Sequence, residues 1–232
     1  MSSEIDTTKT NDSLTAPTLT EEEYRGYLEA LLAGQRSVCQ ITVDDVLKNK
    51  HSLLHLYEQV FRRSLYEVGE LWERGRISVS DEHLATAITE SLLTRVHPVL
   101  FDAPHIDRSA IVSCIANEFH QVGGKMVADT FELKGWNCYF LGANTPLSEL
   151  VDMIEKKQPD VVALSVTVYS GMTTLIQTIE ALRGQFENLE IWVGGQAFNW
   201  GGENLLANHP GVILHRTLEE LESSLTNWKP HK

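Results

Sequence analysis

The apolar positions of this chain change period once, and the change divides it. From about residue 20 to residue 100 they recur every three or four residues, the spacing of one buried face of a helix. Tyr24, Tyr27, Leu28, Leu31 and Leu32 form the first stripe. A capping box opens it, with Thr20 three residues ahead of Glu23, and Gly34 closes it. A short helix is expected over residues 43–48. Leu54, Tyr57, Phe61, Leu65, Val68 and the Leu71–Trp72 pair mark a longer one over residues 51–72, ended by Gly75. Ser80 or Asp81 begins a fourth, with Leu84, Ile88, Leu92 and Val96 as its stripe. Four helices joined by short loops predict an antiparallel bundle ending near residue 101.

Beyond residue 107 the apolar runs become short and nearly continuous, as in strands buried on both faces. Strands are expected at 110–116, 137–141, 161–166, 190–193 and 212–214. Helices alternate with them at 122–134, 146–157 (Pro146 in the first turn), 173–186, 203–208 and 218–228. The fold class is therefore α/β: an N-terminal four-helix bundle followed by a flavodoxin-like, Rossmann-type doubly wound sheet of five parallel strands. The division is a polar tail over 1–18, expected to be disordered, a bundle over 19–102 and the α/β domain over 103–232.

Composition removes some functions. The net charge is −13, against the clustered Lys and Arg that direct nucleic-acid binding needs. No uncharged stretch is long enough to span a membrane, and no leader opens the chain. Three cysteines, an odd number with no CxxC, read as free thiols in a reducing cytoplasm.

The candidate chemistry follows the strands, because a doubly wound sheet binds ligands beyond their carboxyl ends. After the first strand comes Glu118-Phe-His120-Gln-Val-Gly123-Gly124, after the third Ser165-Val-Thr167, and after the fourth Gly194–Gly195. His120 can give a neutral imidazole to a metal while Glu118 accepts from the other ring nitrogen and fixes the tautomer. The glycine pairs remove side-chain bulk where something large approaches the backbone.

Taken together, Glu-x-His-x-x-Gly, Ser-x-Thr and Gly-Gly resemble the cobalamin-binding domain of methionine synthases, mutases and corrinoid proteins over residues 108–228. Glu118 stands where most of that family has Asp. The resemblance implies that cobalamin binds base-off and His-on, with His120 as the lower axial ligand of cobalt. It further implies that Ser165 and Thr167 line a slot for the displaced dimethylbenzimidazole, and that Gly194 and Gly195 admit the tail. In the bundle, Trp72 precedes Glu82-His83 by nine intervening residues. That spacing resembles the light-sensing, adenosylcobalamin-dependent regulators, and implies that Trp72 covers the adenosyl group with Glu82 and His83 beside it. Those regulators carry a histidine directly after the Trp; here Glu73 occupies that position, and no DNA-binding domain precedes the bundle. The implied function is a stand-alone B12 photoreceptor, not itself an enzyme, that signals through a partner protein or self-association after Co–C photolysis. Adenosylcobalamin is the expected cofactor, with methyl- and hydroxocobalamin as other forms. A corrinoid methyl-carrier subunit shares the layout and is the alternative.

Overall fold

The computed structural model describes residues 19–48, 53–100 and 104–229. The polar tail, His51 and the junction at 102–103 lie outside the described residues.

Thr20 accepts a hydrogen bond from the Glu23 amide, and the Glu23 carboxylate accepts from the Thr20 amide; this capping box starts α1 (Glu21–Leu32). The second helix, α2 (Arg36–Lys48), begins seven residues earlier than its apolar pattern suggests. It buries Cys39, Val43 and Val46, but Val38 and Ile41 point outward and blur the stripe. The third, α3, is continuous through three segments: Leu53–His55, a π-helical stretch Leu56–Arg62, and Arg63–Glu73. The fourth, α4 (Val79–Leu93), is capped by Ser78 and Asp81 in a second reciprocal pair, so it starts ahead of the Ser80 or Asp81 expected from the pattern. Its buried face is Ala85, Ile88, Thr89 and Leu92, while Leu84 is exposed, a correction to the expected stripe. A 3-10 turn at Thr94–Val96 and a helical turn at His97–Leu100 complete the bundle.

The second half alternates β1 (Ser109–Cys114), α5 (Val122–Leu133), β2 (Asn137–Phe140), α6 (Leu147–Lys157), β3 (Val161–Ser165), α7 (Met172–Gln185), β4 (Glu190–Gly194), β5 (Val212–His215) and α8 (Leu218–Asn227). The helix expected over 203–208 is one turn, Glu203–Leu206. All strand pairs are parallel, in the order β2-β1-β3-β4-β5. Strand order reverses between β1 and β3, so the loops leaving their carboxyl ends diverge and open a crevice.

Alternation along the strands sorts the core. Ile111, Val162, Leu164, Ile191 and Val193 face α6 and α7. Ala110, Val112, Val161, Ala163 and Trp192 face α5 and α8, and there they join the bundle in one apolar cluster that includes Tyr57, Phe61 and Leu92. Each fully buried side chain of this size stabilises by about 1.5–3 kcal/mol relative to exposure, so the seam is the main attachment of bundle to sheet. Three polar ties add direction to it. The Tyr57 hydroxyl donates to Asp129 Oδ2 at 2.7 Å, the Leu218 amide to Glu58 Oε1 at 2.7 Å, and Gln121 Nε2 to Glu90 Oε1 at 3.0 Å.

Candidate cofactor-binding site

Between the bundle and the carboxyl ends of the strands lies a cavity of about 950 Å3. Its sheet-side wall comes from the loops after β1, β3 and β4 and from the β5–α8 junction; its bundle-side wall comes from α3 and α4.

Glu118 organises the sheet side. It is 4% exposed, and both of its carboxylate oxygens are used. Oε1 meets His120 Nδ1 at 2.6 Å and accepts from the His120 amide at 2.9 Å. Oε2 accepts from the Thr167 amide at 2.6 Å and from the Val168 amide at 3.3 Å. One carboxylate thus ties the loop after β1 to the loop after β3 at the switch point. Burial alone would raise the Glu118 pKa, but the bonds from His120 and Thr167 outweigh it and hold the carboxyl below its ordinary value. The same bond raises His120, against the opposing effect of its partial burial. With Nδ1 committed to Glu118, Nε2 is the ring nitrogen left for the cavity that His120 lines. Among the described residues no three His, Cys, Asp or Glu side chains converge to hold a bare metal ion, so His120 offers a single ligand.

The four glycines divide into three kinds. At Gly123 a Cβ would meet nothing within 4 Å, and the residue lines the cavity. Gly124 does not: its Cβ would press on Cys114 Sγ and Phe140 at 3.2 Å, so this glycine serves the packing of α5 on the sheet, a correction to its expected place in the site. Gly194 and Gly195 line the cavity, yet each also has a backbone reason to be glycine. A Cβ on Gly194 would lie 2.8 Å from the His215 carbonyl oxygen. Gly195 has φ +122°, and its Cβ would lie 2.0 Å from the Val166 carbonyl oxygen. Ser165, at the end of β3, and Thr167 line the cavity too, and Thr167 contributes its amide to Glu118.

Trp72, Glu82 and His83 line the same cavity from the bundle. Trp72 is 46% exposed near the end of α3. Glu82 Oε1 accepts from the Thr86 hydroxyl at 2.9 Å, and His83 Nε2 lies 3.6 Å from the Glu82 carboxylate with its side chain 74% exposed. The bundle-side wall also contains Arg62, Tyr66, Gly69 and Glu90, which sequence reasoning missed. Helical spacing could have found them: Arg62, Tyr66, Gly69 and Glu73 recur at i+4, i+7 and i+11 on α3, and Glu82, Thr86 and Glu90 at i+4 on α4. Trp192, Trp200 and His215 were missed as well, and only strand register or loop geometry places them here.

Comparison with known proteins recognises both halves of the chain. A family model described as a B12 binding domain matches residues 108–222, and a second with the same description matches residues 23–96. The HTH-type transcriptional repressor CarH of Myxococcus xanthus is 29% identical over 174 residues, 73% of this chain and 57% of the repressor. The trimethylamine corrinoid protein of Methanosarcina barkeri is 24% identical over 147 residues, 61% of this chain and 68% of that protein. The chain therefore spans little more than half the length of CarH. In three dimensions the monomethylamine corrinoid protein of Methanosarcina barkeri superposes with a TM-score of 0.76, covering 90% of this chain and 100% of that one at 13% identity, which establishes a shared fold. No helix of the described residues is long and apolar enough to cross a membrane. The two family models account for the bundle and the sheet in turn, and the chain is a member of the B12-binding domain family.

Proposed function

We propose that this chain is a light-responsive cobalamin sensor that holds adenosylcobalamin base-off, with His120 as the lower ligand of cobalt, and signals through a protein partner. The residues present fit such a group. His120 keeps Nε2 free toward a large cavity, its tautomer is set by a buried carboxylate, and Gly123 leaves the adjoining wall without a side chain. When bound, the corrinoid supplies a cobalt–carbon bond that light can break.

The chain's own residues do the rest. Glu118 holds His120 in place by its Nδ1, which leaves Nε2 as the nitrogen for the cavity. Ser165 and Thr167 line the slot for the nucleotide tail, and Gly194 and Gly195 let it pass under the loops. Trp72 offers an aromatic face to a nucleoside base, and Glu82 and His83 offer hydrogen-bonding groups to its ribose. The observation that carries this reading is that Trp72, Glu82 and His83 share one cavity with His120. A methyl group would use neither the aromatic face nor the paired polar groups. The likeness to CarH supports the sensor, and the likeness to the corrinoid proteins supports the methyl-carrier alternative.

The test is an absorption spectrum of the protein loaded with adenosylcobalamin in the dark, taken before and after green light, with sedimentation and limited proteolysis on both samples. The sensor reading expects a spectral change accompanied by a change in association or protease sensitivity. Photolysis without either would leave a carrier of B12, and the methyl-carrier reading would replace it.

A further inference from the structure

Strand register sets out a row of residues along the carboxyl edge of the sheet, on the face covered by α5 and α8. Cys114 pairs with Ser165, Ser165 with Gly194, and Gly194 with His215. The row behind it is Val112, Ala163, Trp192 and Ile213. Paired residues, and residues two apart, share a face of the sheet. Ser165 and His215 therefore flank the missing side chain of Gly194, two strand spacings or about 10 Å apart. All three line the cavity, together with Trp192 of the row behind and Leu218 and Leu221 of α8.

This notch has polar groups that the protein does not use. Among the described residues, the Ser165 hydroxyl and His215 Nδ1 have no hydrogen-bond partner, and neither is sealed from the cavity. The imidazole of His215 is nonetheless held firmly. Its Nε2 lies 2.8 Å from Ser224 Oγ, and its ring centroid is 4.7 Å from that of Trp192. Burial keeps its pKa below the ordinary histidine value, so the ring is neutral and both nitrogens remain hydrogen-bonding groups. An oriented, neutral imidazole with one idle nitrogen, lining the same cavity as an idle hydroxyl and the bare backbone of Gly194, is a recognition site for a flat polar group.

We propose that His215 is a recognition residue for the nucleoside at the end of the corrinoid tail, acting across the Gly194 notch from Ser165. The free nitrogen of the displaced base can be met from one side only, so the second polar group serves a ribose hydroxyl. Trp192 backs the flat base. Ser224 is a positioning residue, since it acts through the imidazole. The proposal rests on the base-off seating described above and adds to it a residue outside the recognised motifs.

The experiment compares two probes in the dark, hydroxocobalamin and cobinamide, which share the corrin ring but of which only the first carries the nucleotide. The wild-type protein should bind hydroxocobalamin more tightly. His215→Ala should narrow that preference roughly three- to tenfold, the value of one hydrogen bond, and leave cobinamide affinity unchanged. His215→Asn, which keeps a polar side chain there, should recover part of the preference. Ser224→Ala, which leaves the imidazole in place, should narrow it by a smaller factor. Equal losses for both probes in His215→Ala, or an unchanged preference, would overturn the proposal while leaving the base-off seating intact. Equal affinity of the wild-type protein for the two probes would overturn both.

Discussion

The two walls of the cavity are built on different terms. The sheet-side wall is tied together by the chain's own groups. Glu118 is buried with four hydrogen bonds, and the backbone at Gly194 and Gly195 runs so close to neighbouring carbonyls that no side chain fits. The bundle-side wall is looser. His83 is largely exposed and Trp72 about half so, and the hydrogen bond at Glu82 stays within its own helix. A wall fixed in advance contributes affinity, because little ordering cost remains to be met on binding. A wall whose side chains are not tied to one another can take up different contacts in two ligand states, which any switch requires. Under the proposed function, holding falls to the sheet and responding to the bundle.

The assignment can be broken in several places. The largest effect is expected at Gly195, where alanine adds a clash with the Val166 carbonyl oxygen to a backbone conformation that only glycine adopts easily. Gly195→Ala should lower unfolding stability by about 3 kcal/mol in a denaturant titration and reduce cobalamin binding with it. A native-like stability would mean that the sheet-side wall is softer than its geometry implies. Substitution at the Gly194–Gly195 pair therefore strains the backbone before it blocks any ligand.

His120→Ala should come next. Removal of the protein ligand should abolish the His-on absorption spectrum and weaken binding about a hundredfold or more, while Glu118→Ala, acting through the imidazole, should cost about ten- to a hundredfold. An unchanged spectrum in His120→Ala would remove the basis of the cofactor assignment.

On the bundle side, Trp72→Ala should weaken adenosylcobalamin by about 1–3 kcal/mol, the range for base–aromatic stacking, and methylcobalamin by much less. Glu82→Gln should act in the same direction more weakly. Equal losses for the two cobalamins would mean that Trp72 only packs the bundle. The smallest effect sharpens the contrast from within the sheet-side wall. Gly123 sits in the first turn of α5 with open space where a Cβ would go. Gly123→Ala should raise the stability of the free protein by about 0.5–1 kcal/mol and still weaken cobalamin binding. Unaltered affinity would show that no ligand approaches there.

Much of this was legible in the chain because strands and motifs are local. The five strands fall within a residue or two of their apolar runs; Glu118, His120 and Thr167 follow the strands that position them, and Ser165 ends one. Capping chemistry was equally legible at Thr20 but not at Ser78, where Asp81 takes the place of the usual Glu or Gln. What could not be read was relational. Gly124 and Gly123 are adjacent and chemically identical, and only tertiary packing turns one to Cys114 and the other to the cavity. His215 becomes part of the site through its register with Gly194, twenty-one residues away in sequence. The start of α2 was hidden because Val38 and Ile41 are apolar and exposed, the reverse of what a periodicity argument assumes.

The π-helical stretch in α3 bears on how the site is aimed. A π turn accommodates an extra residue within an otherwise α-helical rod, and each residue added or removed turns everything beyond it by about 100° around the axis. The anchors to α5 and α8, Tyr57 and Glu58, lie in the first turn of Leu56–Arg62, and the residues that follow the stretch, Tyr66, Gly69 and Trp72, line the cavity. The stretch therefore works as an angular offset, setting the compass bearing of Trp72 relative to a base that is bolted to the sheet. Deleting one residue within it would leave the bundle's composition nearly unchanged and swing the indole out of the cavity.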